Sequence, residues 1–407
     1  MNKTLKLAVA GAVLAMGASA ANAGITIPAG DWTVDINGNV NAFYIHNDSS
    51  DSNVVDGGLA NTKGANGKNS SSINTGLLPS WLGITGKTRQ NDLDVSWTIS
   101  FQPGASSQHA LSGGSTSEFR QASINFGDKA WGSIKIGKDL GVFGADAILN
   151  DQTLLGVGSQ GVVGTQGGTT TTLGRIGTGF LYADFKGQIN YTSPNWNGFQ
   201  FTAGIAQPWN TLNLATSSAS TGNQKQPGFE GVASYSWAGD VAGKVWAEGF
   251  HQRVDGLGVL STAGKRSEDA NVYGIGGKVS AMGFDLVGYY YNGEGVGTTG
   301  LLMDGFDVEG HKRDSDGGYV QAAYTIPGVG TKIAASWGES NLDRTSTDSA
   351  NANTTLVQSN EMWTVGVYHP LTKSLNLVAE YSRVEAQNQG NQTNKSDIVD
   401  FGAILFF

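Results

Sequence analysis

The sequence is informative first through what it lacks. Its 407 residues include no cysteine, which excludes a disulfide framework and any cysteine-ligated metal site. Beyond the N-terminal segment, no apolar run approaches the ~18 residues that a membrane-spanning helix requires. Basic residues are scarce, and a net charge of -9 disfavours nucleic acid as a partner. If such a chain enters a membrane, it must do so as a closed β-barrel, because lipid cannot satisfy unpaired strand edges.

The N-terminal segment MNKTLKLAVAGAVLAMGASAANAG has the layout of a secretory signal peptide. Two lysines precede an apolar run, and the small-residue sequence Ala21-Asn22-Ala23 follows it. A transmembrane helix is the alternative, but the run is rich in alanine and glycine and ends in a cleavage pattern. We therefore expect a signal peptide over residues 1–23 and one domain over 24–407. Cleavage would shift the net charge from -9 to -11, because the segment carries two lysines and no acid.

Period-two alternation is the main signal in the rest of the chain. The stretch DWTVDINGNVNAFYIH places apolar residues on one face and mostly polar residues on the other. Trp32 and Tyr44 bracket the apolar face, and their spacing spans roughly 28 Å along a membrane normal for a strand tilted near 45°. This matches the ~25 Å apolar band and aromatic girdles of an outer-membrane barrel. The alternation recurs in LDVSWTISF, GFQFTAGIA and SLNLVAEYS.

The connections between these segments alternate in length. Short turns such as RQND, AGDVAG and PGVG separate long polar connections, and together they delimit about sixteen strands. Short periplasmic turns and long external loops are the rule for outer-membrane barrels, whereas a soluble β-sandwich, the alternative, has no reason to alternate so strictly. We predict an all-β fold, a 16-stranded antiparallel transmembrane β-barrel with long external loops. The long connections cover residues 47–75, 103–116, 139–180, 207–227, 254–269, 292–316, 340–358 and 386–395.

The C-terminal stretch DFGAILFF continues the same pattern. Its final strand must close the barrel against the first strand, because no strand edge can stay unpaired in lipid. We expect Phe407 to lie at the periplasmic rim. The residues that would face lipid are Val399, Phe401, Ala403, Leu405 and Phe407.

Two longer segments carry a family resemblance. INYTSPNWNGFQFTAG and FRQASINFGDKAWGSIKIGKDLG resemble segments of the trimeric, sixteen-stranded general porins of Gram-negative outer membranes, particularly those of the neisserial type. The resemblance covers the whole mature chain. It implies a homotrimer in outer-membrane lipid, through which ions and small hydrophilic solutes diffuse passively, with the third loop folded into the lumen. It also implies that the barrel-assembly machinery reads Phe407 as an assembly signal.

The resemblance further implies a charged constriction. The third loop carries Asp139, Asp146 and Asp151, and the family's opposite wall carries bases, to which Arg120 and Lys138 correspond by position. Alternate residues of a strand share one face, which we call a frame. The frames of both bases consist otherwise of apolar residues, and this argues against a lumenal position for either base. Only a bulge or a local bend would turn them into the lumen, and otherwise they are ordinary rim charges.

One position departs from the family pattern. SWLGITGK resembles a family stretch that has arginine where Trp81 stands, and the frame that Trp81 shares with Lys87 points into the lumen. A bulge near Pro79 would instead place Trp81 in the lipid girdle. Because a neutral side chain replaces a base, the balance favours the acids and predicts weak cation selectivity. The expected constriction residues are Trp81, Lys87, Arg120, Lys138, Asp139, Asp146 and Asp151.

Other functions have less support. None of the five histidines lies in a motif that combines a nucleophile, a base and an orienting acid, so we expect no enzyme activity and no catalytic residue. We also expect no cofactor and no metal site, since DSDGG falls short of a calcium-binding loop. Two alternatives stay open. A lumenal Trp81 would suit a substrate-specific channel, and the barrel could be an adhesin or a structural anchor without a channel.

Overall fold

The computed structural model describes residues 24–63, 67–105, 117–160, 171–214, 218–219, 224–258 and 266–407. The predicted signal peptide lies outside these residues and stays a prediction. Within the described ranges, no helix is long and apolar enough to cross a membrane. The elements are β1 (Ile25–Ala29), β2 (Trp32–Ser49), β3 (Asn69–Asn74), β4 (Trp81–Gln90), β5 (Leu93–Pro103), β6 (Ser117–Asp128), β7 (Gly132–Leu140), α1 (Ala145–Asn150), β8 (Phe185–Thr192), β9 (Phe199–Ala206), β10 (Leu212–Asn213), β11 (Ser218–Ala219), β12 (Gly228–Trp237), β13 (Val241–Leu257), β14 (Arg266–Ala281), β15 (Phe284–Glu294), β16 (Asp314–Thr325), β17 (Lys332–Leu342), α2 (Ser346–Ala350), β18 (Val357–Pro370), β19 (Leu375–Asn388) and β20 (Thr393–Phe406).

Antiparallel pairing runs unbroken around the barrel. The closing pair is β2 with β20, in which Tyr44 lies opposite Phe401. Both β3 and β4 pair with β2, so they form one barrel strand that is interrupted at residues 75–80. The short β1 pairs with the first residues of β2. It lies on the same edge of β2 with which β20 pairs further along the strand. The result is a closed barrel of sixteen strands, which confirms the predicted fold.

Alternation sorts the side chains of each strand between lipid and lumen. In β2, Val40 points outward and is 60% exposed, whereas its neighbour Asn39 is buried inside. Trp32 and Tyr44 share the outward frame of Val40, and the Tyr44 ring lies 5.3 Å from the Phe401 ring. The apolar band and the aromatic residues therefore lie on the same outer face.

Tight hairpins at one end of the barrel fix the register of the strands. Asn91 and Asp92 both have positive φ angles, 47° and 62°, and Met282 and Gly283 have 52° and 85°. Two consecutive positive φ angles suit the right-handed twist of paired strands. These turns fall in RQND and AMG, where the sequence predicted short periplasmic connections.

The inner wall from β13 to β16 carries an apolar patch between its polar side chains. Trp246, Phe250, Tyr289 and Tyr319 are buried there, in contact with apolar residues of the third loop. Burying one such side chain stabilises the fold by about 1.5–3 kcal/mol, so the wall binds the loop tightly. The inward face is therefore less polar at this patch than elsewhere in the barrel, because the folded loop packs against it.

Candidate functional site: the third loop inside the barrel

The described parts of the third loop, residues 141–160 and 171–184, lie against the inner wall. It enters through Gly144, whose φ of 80° is the left-handed conformation that favours glycine. The helix α1 follows, with Ala147 and Ile148 buried, and a single 3-10 turn spans Gln152–Leu155. The loop therefore presents an apolar side to the wall and leaves its backbone polar groups to be satisfied by wall side chains.

A wall carboxylate anchors the beginning of the loop. Glu230 of β12 accepts hydrogen bonds from the backbone N–H groups of Val142, at 2.7 Å, and Phe143, at 3.3 Å. Its other oxygen pairs with Lys186 of β8, and both side chains are buried. The Lys186 ammonium also lies 5.0 Å from the ring of Trp209. A buried carboxylate is tolerated here because every partner it needs is present.

A second wall carboxylate anchors the far end of the folded segment. Glu380 of β19 accepts from the backbone N–H groups of Val157, at 2.8 Å, and Gly158, at 2.9 Å. The Tyr368 hydroxyl donates to its other oxygen at 2.5 Å. Asp400 lies directly opposite on β20, buried, and among the described residues neither of its oxygens has a hydrogen-bond partner.

Between the two anchors, neutral side chains hold the helix. The Tyr319 hydroxyl donates to the carbonyl of Ala147 at 2.8 Å. Gln321 bonds twice, donating to the carbonyl of Asn150 at 3.1 Å and accepting from the N–H of Gln152 at 2.7 Å. The loop is therefore bonded to β12, β16 and β19, and it narrows the lumen from that side.

A known family accounts for this architecture. The family model described as Gram-negative porin matches residues 8–389. The chain belongs to that family. It is thus an outer-membrane channel through which solutes diffuse passively, and its place is the cell outer membrane. No curated protein matches the sequence.

Solved outer-membrane proteins share the fold of this porin at low sequence identity. The channel DcaP of Acinetobacter baumannii is 14% identical, with 93% of this chain and 99% of that chain covered and a TM-score of 0.64. OmpF of Salmonella typhi is 15% identical, with 94% and 100% covered and a TM-score of 0.58. OmpT of Vibrio cholerae, in a structure described as the trimer form, is 16% identical, with 92% and 99% covered and a TM-score of 0.54.

The three acids predicted for the constriction of the porin have different positions. Asp139 faces the lumen at the end of β7, where it accepts from Lys135 at 2.6 Å and from Gln121 at 2.8 Å. Asp146 of α1 pairs with Lys244 of β13 at 2.5 Å. Both acids are therefore close to the lumen, and each has a lysine partner.

The third acid does not line the channel. The Asp151 carboxylate is fully buried, 3.6 Å from the guanidinium of Arg175, and it accepts from the N–H of Thr153 at 3.1 Å. Arg175 is equally buried and donates to the carbonyl of Met362 at 2.9 Å. The prediction for Asp151 is wrong, because the carboxylate begins the 3-10 turn and fixes the loop from within.

The two wall bases that the family resemblance implied, Arg120 and Lys138, also have different positions. At Arg120 the register between β5 and β6 shifts. The strand therefore has the bulge that a lumenal Arg120 requires. Its guanidinium donates to the Tyr182 hydroxyl at 3.3 Å, at the return of the third loop. Lys138 pairs in regular register with Ala122 on the outward frame and donates to the carbonyl of Phe119 at 3.0 Å. The lumenal assignment of Lys138 is therefore wrong, since no bulge turns it.

Trp81 and Lys87 lie on the inward face of β4, as the alternation of the strand predicted. Trp81 lies opposite Asn39, whose side chain is buried inside the barrel, and its ring covers Gly83. Lys87 lies near the short-turn end, where its ammonium pairs with Asp35 at 2.6 Å. It is therefore a lumenal residue, but its ion partner belongs to β2 and not to the third loop.

Sequence reasoning missed the residues that hold the loop. Lys186, Glu230, Lys244 and Glu380 were not singled out, although each lies on the inward frame of its strand. One signal was available: a charged residue on the polar frame of a strand whose other frame is apolar must point into the lumen. Which backbone group it meets there depends on how the loop folds, and alternation alone does not contain that information.

The external mouth is held by a separate ion pair between the sixth loop, residues 295–313, and the seventh, residues 343–356. Arg313 donates twice to Asp348 at 2.7 Å and once to the carbonyl of Asp304 at 2.8 Å. Burial alone would raise the pKa of the Asp348 carboxyl, but the hydrogen bonds from Arg313 hold that pKa below its ordinary value of 3.8. Asp348 also caps α2 together with Thr345.

Proposed function

We propose that the porin admits ions and small hydrophilic solutes, with the third loop setting the size limit. The observation that carries this proposal is the attachment of the loop to opposite parts of the wall by two buried carboxylates, Glu230 and Glu380. A loop held in this way is a fixed obstruction, so it selects by size without movement, chemistry or an energy source.

Passive diffusion also accounts for the absence of an identifiable catalytic motif in the sequence. Within the described residues, no group of three or more histidine, aspartate or glutamate side chains could hold a metal ion. The described histidines bond to neighbouring side chains of their own surroundings, such as His251 to Asn271 at 2.7 Å. We therefore propose a function without catalysis, and a phospholipid or peptide hydrolysis assay on the purified porin should give no turnover.

We further propose a homotrimer in outer-membrane lipid. The support is family membership, together with the related OmpT structure described as a trimer form. Physically, the outward side chains Ile99, Phe119 and Ile124 on β5 and β6 are large, apolar and exposed, and could pack barrel against barrel. Native mass spectrometry in mild detergent should report three chains, and a single-chain mass would count against the proposal.

Two measurements on one preparation test the channel function. Purified protein in a planar bilayer should give stepwise ion currents that increase in proportion to the applied voltage. Liposome swelling should then proceed with small sugars, amino acids and organic anions, and slow with increasing solute size. Swelling with one solute class alone would favour a substrate-specific channel, and the absence of any current would favour an anchor or adhesin.

A further inference from the structure

Five lysines line the lumen near the short turns, four of them at a common height. Lys87, Lys135, Lys244 and Lys278 each lie four positions from the nearest short turn, and Lys332 begins β17 directly after one. At ~3.3 Å per residue and a tilt near 45°, four positions correspond to about 9 Å above the turn. We call these five residues the lysine ring. Because short turns are periplasmic in this architecture, the ring lies on the periplasmic side of the third loop.

All five side chains are on inward frames. Lys135 lies opposite Asn190, which is buried inside the barrel, and Lys244 lies opposite Lys278. Lys332 lies opposite Tyr368, another buried inward residue. Direct opposition of two lysines on neighbouring strands is unfavourable without an anion between or beside them. The arrangement therefore places five ammonium groups on the lumen surface near the short turns.

Acids accompany four of the lysines but are less accessible to water. The ion pairs are Lys87–Asp35, Lys135–Asp139, Lys244–Asp146 and Lys278–Asp285, the last at 3.9 Å. The lysine side chains are 34–54% exposed, whereas the acid side chains are 8–30% exposed, and in every pair the lysine is the more exposed partner. A solute in the lumen therefore meets ammonium groups first.

The fifth lysine has no acid of its own. Among the described residues Lys332 forms no ion pair, and its ammonium lies 4.6 Å from the centre of the Tyr368 ring. Lys278 acts on it electrostatically, and so do the more distant acids Asp285, Glu380 and Asp151. At the rim itself, Arg89 pairs with both Asp94 and Asp128, so the excess of positive charge belongs to the ring and not to the turns.

We propose that the lysine ring is a binding and selection site for anionic solutes that carry carboxylate or phosphate groups. Rings of lysine or arginine favour anions in pores because they focus a positive field across a low-dielectric channel. The proposal rests on the channel function and names its substrate class. It reverses the cation preference expected from the sequence, which rested on three loop acids and on the neutral Trp81 in place of a wall base.

The test is the reversal potential of the porin in a planar bilayer under a potassium chloride gradient. We expect the wild type to prefer chloride. The double variant Lys278→Gln/Lys332→Gln should lower the chloride-to-potassium permeability ratio on the order of threefold, since two positive charges that line the lumen are lost. Inorganic phosphate added on the short-turn side should reduce the chloride current of the wild type at concentrations that leave the variant unaffected.

Two matched variants separate charge from folding. Lys278→Arg/Lys332→Arg should keep the wild-type ratio, and Lys395→Gln, which removes a lysine from the outward face, should leave it unchanged. Two results would overturn the proposal for the lysine ring but not the channel function. One is a conducting wild type with no chloride preference, and the other is a chloride-to-potassium permeability ratio that the Gln variant does not change. A wild type that conducts no current would overturn the channel function, and the lysine ring with it.

Discussion

At the scale of single residues, the frame of the strand decides what a side chain can do. Lys138 and Asp139 are neighbours in sequence, yet one points outward to a backbone carbonyl and the other faces the lumen beside Lys135. Arg120 leaves its frame only because the register shifts beside it. The role of a side chain in this porin therefore depends first on the strand face that it occupies. A charge introduced on the outer or the inner face can test the assignment of faces.

Ile275 provides that test on the outer face. It lies near the middle of β14 and is 62% exposed. Ile275→Lys should destabilise the barrel by about 2–4 kcal/mol, because it places an ammonium in the bilayer core. Thr98→Lys, at an inward position of β5, should cost less than about 1 kcal/mol. Urea unfolding in lipid vesicles measures both, and equal costs would contradict the assignment of faces.

The residues that sequence alone could place are those whose position follows from alternation. Trp81, Lys87 and the outward residues of the last strand lie on the frames that their spacing indicated. Asp151 could not be placed, because its burial depends on Arg175 and on a turn within the loop. Arg120 required a bulge whose position the sequence does not mark. Local periodicity was sufficient for the fold, whereas the site depends on contacts between distant segments.

At the scale of elements, the third loop depends on the wall for its shape. Its helix has six residues, too few to be stable alone, and its backbone bonds to carboxylates on β12 and β19. These contacts join residues 88 and 223 positions apart, which explains why sequence patterns did not reveal them. Loss of one anchor should loosen one end of the loop and leave the barrel intact.

Glu380→Gln tests this anchor. Removing the charge weakens two hydrogen bonds that are each worth about 1.5–3 kcal/mol, so amide exchange at Val157 and Gly158 should rise on the order of tenfold. Exchange at Val142 and Phe143, held by Glu230, should stay unchanged. Glu385→Gln, on the outward frame of the same strand, is the matched control. Equal protection at Val157 in the variant and the wild type would show that Glu380 does not hold the loop.

The external loops respond to acid through Asp348. Because its pKa is lowered in the folded state, the pair with Arg313 contributes its full stability above pH 3.8 and loses it as the pH falls through the lower folded value. Protection of the α2 amides, corrected for intrinsic exchange, should therefore be lost only below pH 3.8. Arg313→Gln should reduce that protection already at pH 7. Acid-independent protection in the wild type would refute the role of the pair.

At the scale of the whole molecule, closure of the barrel depends on many strand pairs and little on its last residue. The backbone of Phe407 exchanges two hydrogen bonds with Gly38, at 2.8 and 3.0 Å, and its removal forfeits one rim side chain, about 2 kcal/mol of burial. We propose that Phe407 serves assembly. The truncated chain should refold nearly normally in detergent but reach the outer membrane poorly in cells, and normal surface levels would disprove this.

The single-channel conductance of the porin, with and without the inserted loop, tests the central claim most directly. A variant in which a short glycine-serine linker replaces residues 145–157 keeps every barrel strand and removes α1 and the 3-10 turn of the loop. The account predicts discrete current steps from the wild type and larger steps from the variant. Steps of equal size would show that the third loop does not set the size limit, and a wild type without steps would contradict the account of this chain as a diffusion channel.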